Sequence, residues 1–165
     1  MSKRTHNTRP RGHCCYILQS EGWPTPYTGK TCNLARRLHR HNHPSKRSRA
    51  YTKGKGPWRV AAAVYGMRSN RHSVWLERAL KRHAKGRARP TGLSAVQSAV
   101  LDAVRVSSRP SLWWRGEPSA TPPLHIQVFK CALTAFPDQL LFDAMPTPAT
   151  ARITCHHQHE FLHQE

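Results

Sequence analysis

The sequence has few acidic residues, and those it has are unevenly placed. Its 165 residues include 27 Lys and Arg but only 8 Asp and Glu, so the formal net charge at pH 7 is +19. Residues 1–90 hold 22 of the basic residues and only two acids, Glu21 and Glu77. Such an excess of positive charge predicts a polyanionic partner, which we expect to bind this half of the chain. Glu77 stands out as a lone carboxylate in cationic surroundings.

Two further absences narrow the class of protein. No apolar run approaches the roughly 20 residues of a membrane-spanning helix, and the basic N-terminus lacks the apolar segment of a secretory signal. The five cysteines are odd in number and form no C-x-x-C pair, which favours reduced thiols in an intracellular protein. The acid-free N-terminus is interpreted as a disordered arm on phosphates, with an organelle transit peptide or a nuclear address as alternatives.

The hydrophobic pattern predicts an α+β fold. Alternating or continuous short apolar runs are typical of strands, and apolar positions at helical spacing, with Asn33 and Ser69 or Asn70 as N-caps, are typical of helices. The predicted strands cover residues 14–20, 58–66 and 124–131, with a further one starting at 27–29 after a Gly/Pro turn over 21–26. The predicted helices cover residues 34–42, 71–85 and 93–106.

These elements divide the chain into four predicted segments. A central three-stranded antiparallel sheet flanked by helices forms the main domain, and a C-terminal helix/strand extension packs on it. The segments are a basic flexible arm over 1–12, the main domain over 13–90, the extension over 91–142 and a disordered Pro/His-rich tail over 143–165. Zinc binding by the Cys and His residues of that tail is the less favoured alternative.

Polar side chains of unlike kinds can converge in the main domain. Tyr16 and Tyr27 fall on paired strands, Arg37 and His41 lie four residues apart on one helix face, and Glu77 is on the next helix. Phosphodiester hydrolysis requires a group that activates water, a cation that stabilises the developing charge, and a carboxylate that binds a divalent metal. We therefore predict that these five side chains surround one phosphate.

At these positions the sequence resembles the GIY-YIG nucleases. Cys14-Cys15-Tyr16 stands at the first signature, with two cysteines in place of glycine and isoleucine, and Tyr27-Thr28-Gly29 stands at the second. The segments GKGPW and WLERALKR resemble one branch of the family, the catalytic subunits of eukaryotic structure-specific endonucleases, which cut branched DNA with a scaffold partner. That branch usually carries a C-terminal RING-like zinc domain that binds the scaffold, and this sequence lacks its Cys pairs. A scaffold subunit is therefore a possible partner without that usual docking domain.

The resemblance implies a role for each residue. Tyr16 would be the general base or would orient water, and Tyr27 would bond near the scissile phosphate or share the proton relay. Arg37 would clamp that phosphate, and His41 would orient a phosphate or water. Glu77 would bind Mg²⁺ or Mn²⁺, and Gly29 would let backbone approach the site.

Each assignment has a plainer alternative. The tyrosines could be ordinary strand aromatics, His41 a surface histidine, and Glu77 the partner of Lys81 in a helix salt bridge.

A set of basic residues would contact the flanking DNA backbone without reading its sequence. They are Arg36, Arg40, Lys46, Arg47, Arg49, Lys53 and Lys55.

The resulting hypothesis is a metal-dependent, structure-specific DNA endonuclease that acts on branched or flapped DNA, with a nuclear location and an organelle or viral setting as alternatives. The alternative function is a non-catalytic DNA-binding or packaging protein that has kept the fold and the charge. An RNA-directed nuclease is a third possibility.

Overall fold

The structure, a computed structural model, describes residues 12–85, 93–117, 120–129 and 151–156, with the backbone alone at 93, 94 and 151–156. Five strands form one sheet in the order β2-β1-β3-β4-β5, antiparallel except for the parallel pair β4–β5. The strands are β1 (His13–Ser20), β2 (Trp23–Thr31), β3 (Trp58–Met67), β4 (Leu124–Phe129) and β5 (Ala151–His156). The helices are α1 (Leu34–Asn42), α2 (Asn70–Lys85) and α3 (Leu93–Ser107).

This architecture confirms the predicted α+β fold. Strands β2, β1 and β3 are the expected three-stranded antiparallel centre, and α3 with β4 forms the expected extension. None of the helices in the described segments is long and apolar enough to span a membrane.

The two faces of the sheet carry different helices. Along β1, Tyr16 and Leu18 point to one face, where they pack with Leu34 of α1. Cys15 and Ile17 point to the other face, which α2 and α3 cover. This alternation follows from the two-residue period of a strand. Helices α1 and α2 therefore lie on opposite sides of the sheet.

Strand β2 begins earlier than the sequence predicts. Residues 23–26, interpreted above as a turn, belong to the strand although they include Pro24 and Pro26. The pairing with β1 shifts between Leu18↔Tyr27 and Ser20↔Trp23, so the prolines lie in an irregular stretch of the ladder. Among the described strands β2 is at the sheet edge, where proline is tolerated because its missing N–H leaves no ladder bond unmade.

A second correction concerns the C-terminal segment. Residues 151–156 form β5 beside β4, within the stretch predicted to be disordered. The remainder of that stretch and the N-terminal arm up to residue 11 lie outside the described residues, as do the side chains of the zinc alternative.

Candidate active site

Helix α1 is held at both ends by asparagine side chains. At its start, the Asn33 Oδ1 accepts a hydrogen bond from the Arg36 backbone N–H at 2.9 Å, which is the predicted N-cap. At its end, the Asn42 side chain donates to the Trp58 carbonyl at 3.0 Å and accepts from the Trp58 N–H at 2.6 Å. The helix is thereby fixed to the start of β3, together with the side chains that it presents to the sheet.

The Tyr16 hydroxyl is the centre of a hydrogen-bonded cluster. Arg37 donates to it from Nε at 3.0 Å, and the His41 Nε2 lies 2.9 Å from it. Tyr16 is only 1% exposed. The predicted convergence of a phenol from β1 with an arginine and a histidine from α1 is thus observed.

His41 is a buried residue rather than a surface histidine. It is 5% exposed and faces the sheet. Its Nδ1 lies 2.7 Å from the Thr52 Oγ1, and the Thr52 carbonyl accepts from the Trp58 indole N–H at 3.0 Å. Thr52 was not identified from the sequence, because a threonine in a basic loop carries no signal of its own.

Tyr27 and Gly29 complete this side of the site. The Tyr27 ring centroid is 6.3 Å from that of Tyr16 and 5.1 Å from that of His41. The Tyr16 phenol passes directly over Gly29, so that a Cβ at position 29 would lie 2.6 Å from its hydroxyl oxygen. Only glycine leaves room for the phenol in this position.

The cluster fixes the protonation of its members. Burial raises the pKa of Tyr16 to about 12, although Arg37 partly offsets this effect. Burial, followed by the charges of Arg37 and Arg40, lowers the pKa of His41 to about 4. The bond to Tyr16 raises the pKa of Arg37. At neutral pH the site therefore holds a neutral phenol, a neutral imidazole and a guanidinium.

Residues 12–89 match the GIY-YIG catalytic domain. This stretch contains the whole Tyr16 cluster and both signature positions. Residues 12–89 are a GIY-YIG catalytic domain.

The GIY-YIG domain also has curated relatives. It is similar to the structure-specific endonuclease subunit SLX1 of Phaeosphaeria nodorum, 42% identical over 62 residues that cover 36% of this chain and 17% of the relative. The Schizosaccharomyces japonicus subunit slx1 is 33% identical over 100 residues, which cover 56% of this chain and 37% of that protein. The Kluyveromyces lactis subunit is 34% identical over 91 residues, 53% and 31% of the two chains. The chain thus spans well under half the length of these relatives.

Among the described residues, no recorded hydrogen bond or ion pair joins Glu77 to the Tyr16 cluster of the GIY-YIG domain. It lies on α2, which packs on the opposite face of the sheet, and its Oε1 pairs with the Lys81 Nζ at 2.7 Å. Burial first and the Glu77 carboxylate second hold the pKa of Cys15, on that face, well above its ordinary value. Within the described residues no group of three or more His, Cys, Asp or Glu could hold a metal ion. The ion pair given above as the plainer alternative is present, and the metal role of Glu77 remains a prediction.

The basic residues predicted to grip DNA lie on the α1 side and the following loop. Six of them are exposed: Arg36, Arg40, Lys46, Arg47, Arg49 and Lys53. Lys55 differs because it is partly buried, with its Nζ 3.3 Å from the ring centroid of Tyr51 and 4.1 Å from that of Trp23. These aromatic partners of Lys55 were not identified from the sequence.

Proposed function

We propose that this chain is a metal-dependent endonuclease that hydrolyses phosphodiester bonds in branched or flapped DNA during repair or recombination. The observation that carries the proposal is the Tyr16 hydroxyl held between Arg37 and His41 inside a GIY-YIG catalytic domain. The relatives named as structure-specific endonuclease subunits support a branched substrate. The cationic first half of the chain supports DNA as the polyanion.

Tyr16 would act on the attacking water through a proton relay. With a pKa of about 12 it holds almost no phenolate at neutral pH, so it cannot serve as a preformed base. When His41 carries its proton on Nδ1 and donates to Thr52, its Nε2 can accept the Tyr16 proton. Tyr16 would then take a proton from water as it passes its own to His41.

Substrate would prepare His41 for this step. Its pKa of about 4 reflects burial and, after burial, the nearby Arg37 and Arg40. A bound phosphodiester would bring negative charge beside those arginines, and we expect the pKa of His41 to rise as a result. Arg37, tethered through Nε, would direct its terminal nitrogens to the phosphate and stabilise the charge that develops during attack.

Glu77 would hold the Mg²⁺ or Mn²⁺ ion. Mg²⁺ is commonly bound by one or two carboxylates together with waters and substrate phosphate, so a single carboxylate is an adequate protein donor. The bound ion would screen the phosphate and stabilise the leaving oxygen.

The Tyr16 phenol covers Gly29 of β2 on one face, and Lys30 of β2 bonds Asn70 of α2 at 2.7 Å on the other. DNA placed along β2, an edge strand, could therefore reach both the Tyr16 hydroxyl and the Glu77 carboxylate.

The biological setting follows from the proposed activity. We infer a nuclear protein that acts on DNA and can work beside a scaffold subunit. The second candidate function, non-catalytic DNA binding, is favoured by one observation, the pairing of Glu77 with Lys81 away from the phenols.

The test is cleavage of a labelled splayed-arm duplex and a four-way junction in Mg²⁺. We expect the wild type to nick both substrates and EDTA to abolish nicking. The cleavage rate should fall about 10²- to 10⁴-fold in Tyr16→Phe, as for loss of a general base. Glu77→Gln should require a higher Mg²⁺ concentration or should not cut at all. Glu21→Gln, which removes the other acid of the basic half from its surface pair with Arg59, should cut like the wild type.

Three outcomes would change the proposal. Binding without cutting would establish the non-catalytic function. Cutting by Glu77→Gln at the same Mg²⁺ concentrations as the wild type would remove the metal role of Glu77. Faster cleavage of a matched RNA branch would replace DNA with RNA as the substrate.

A further inference from the structure

The loop between α1 and β3 is anchored next to the Tyr16 cluster. Thr52 is 2% exposed and bonds both His41 and the Trp58 indole. The Lys55 carbonyl accepts from the Ser20 hydroxyl of β1 at 2.5 Å. Residues 53–54 are therefore held between two fixed points, and Tyr51 directly precedes one of them, although all three residues are at the surface.

Within this loop, Tyr51 is an exposed aromatic residue. It is 54% exposed, and Leu112 is the other large hydrophobic residue exposed in the described part of the chain. Its ring lies nearly parallel to that of Tyr27, at 21° and 6.3 Å between centroids. An aromatic surface thus continues outward from the site into solvent.

Lys55 stabilises the position of Tyr51. Its ammonium sits over the Tyr51 ring at 3.3 Å and over the Trp23 ring at 4.1 Å, two cation–π contacts. None of the ion pairs recorded among the described residues involves Lys55, so its charge is not neutralised by a carboxylate. An exposed ring beside an ammonium that no recorded carboxylate neutralises, in a loop that also carries exposed Arg47 and Arg49, favours a ligand with a flat aromatic group and a negative charge.

We propose that Tyr51 stacks an unpaired nucleobase next to the scissile phosphate, so that the domain selects DNA with a single-stranded arm at the cut. The inference rests on the proposed function, which it makes more specific. Base–aromatic stacking tolerates any sequence because every base has a π-face, and Lys55 would meet the phosphate of the same nucleotide. A fully paired duplex keeps its bases in the helical stack and could not use Tyr51.

The test measures binding, in EDTA, to a splayed-arm duplex that carries 2-aminopurine as the first unpaired base. We compare Tyr51→Leu, which loses the ring, with Tyr51→Phe, which keeps it. We expect wild type and Tyr51→Phe to quench the fluorescence of the base, and Tyr51→Leu to leave it unquenched and to bind the splayed arm roughly 5- to 150-fold more weakly. Affinity for a fully paired duplex should change by less than about twofold, since stacking contributes nothing there.

A second measurement needs no variant and covers the case in which Tyr51→Leu folds poorly. The wild type is given the same splayed arm with an abasic nucleotide at the first unpaired position, and we expect a similar loss of affinity. Equal binding of the normal and abasic arms, or quenching by Tyr51→Leu equal to that of the wild type, would overturn the inference. Because both measurements are made without cleavage, a protein that stacks the base but never cuts would refute the proposed function alone.

Discussion

The absence of a side chain at Gly29 sets the position of the Tyr16 phenol. A Cβ there would lie 2.6 Å from the Tyr16 hydroxyl oxygen and 2.7 Å from its Cζ, so Gly29→Ala must displace the phenol from Arg37 and His41. We expect cleavage to fall about 10²-fold or more, towards the level of Tyr16→Phe. The measurement is the initial nicking rate on the splayed arm.

Gly12→Ala is the matched control, since a Cβ at residue 12 would meet nothing within 4 Å. It should cut like the wild type. If Gly29→Ala also cut normally, the contact between the phenol and its two partners would not matter for catalysis.

The lowered pKa of His41 predicts how the free energy of unfolding depends on pH. Its pKa is about 4 in the folded protein and about 6.5 in the unfolded chain, so the unfolded state binds more protons between these values. Stability must therefore fall as pH is lowered through this window, by about 2 kcal/mol between pH 7 and pH 5. Urea unfolding of wild type and His41→Gln at both values measures the effect.

His41→Gln should be less stable than wild type at pH 7, because it loses the bonds of a buried imidazole, yet less sensitive to acid. His43→Gln, at an exposed position two residues away, should keep the acid sensitivity of the wild type. An unchanged acid response in His41→Gln would show that His41 does not carry this pH dependence.

Residues that belong to a spaced pattern could be predicted, and isolated ones could not. Tyr16, Tyr27 and Arg37 were identified because the sequence resembles the GIY-YIG nucleases at these positions, and the structure brings them together with His41. Thr52 and Tyr51 have no such spacing. Their positions depend on how the loop between α1 and β3 folds back, which the composition of a basic loop does not specify.

At the scale of elements, local signals predicted the helices better than the strand ends. Asn33 and Ser69 mark the starts of α1 and α2 because a cap satisfies backbone groups within three residues of itself. Strand β2 was predicted too short because proline is normally a turn signal. Its edge position, a property of the whole sheet, is what permits Pro24 and Pro26 in a strand.

The sequence alone could not predict which side of the sheet α1 and α2 each cover. The sequence places Glu77 about 60 residues after Tyr16 but does not say which face each helix covers. Because side chains alternate along β1, Tyr16 packs on the α1 side and Cys15 on the α2 side, so these two neighbouring residues face opposite helices. The recorded hydrogen bonds of the described residues join Glu77 to Lys81 and Tyr16 to Arg37 and His41, so the placement of Glu77 and the phenols around one phosphate stays a prediction.

At the scale of the whole molecule, positive charge is concentrated in the first half of the chain. The exposed arginines and lysines of α1 and the following loop are on the side of the Tyr16 cluster, whereas residues 91–165 hold 5 basic and 6 acidic residues. Contacts to phosphate release counterions, so the logarithm of the affinity should fall linearly with the logarithm of the salt concentration, with a slope of about 0.9 per phosphate contact for duplex DNA.

This distribution predicts that equal losses of charge have unequal effects. Arg47→Gln with Arg49→Gln should reduce the salt slope by about 2, if each arginine contacts one phosphate, and should weaken binding to all sequences alike. Arg109→Gln with Arg115→Gln removes the same charge from exposed positions in the second half and should leave the slope nearly unchanged. The measurement is Kd for one splayed-arm duplex from 50 to 200 mM salt, roughly the range over which such contacts dominate. Equal changes in slope for the two pairs would mean that DNA responds only to the net charge of +19 and has no preferred face on this protein.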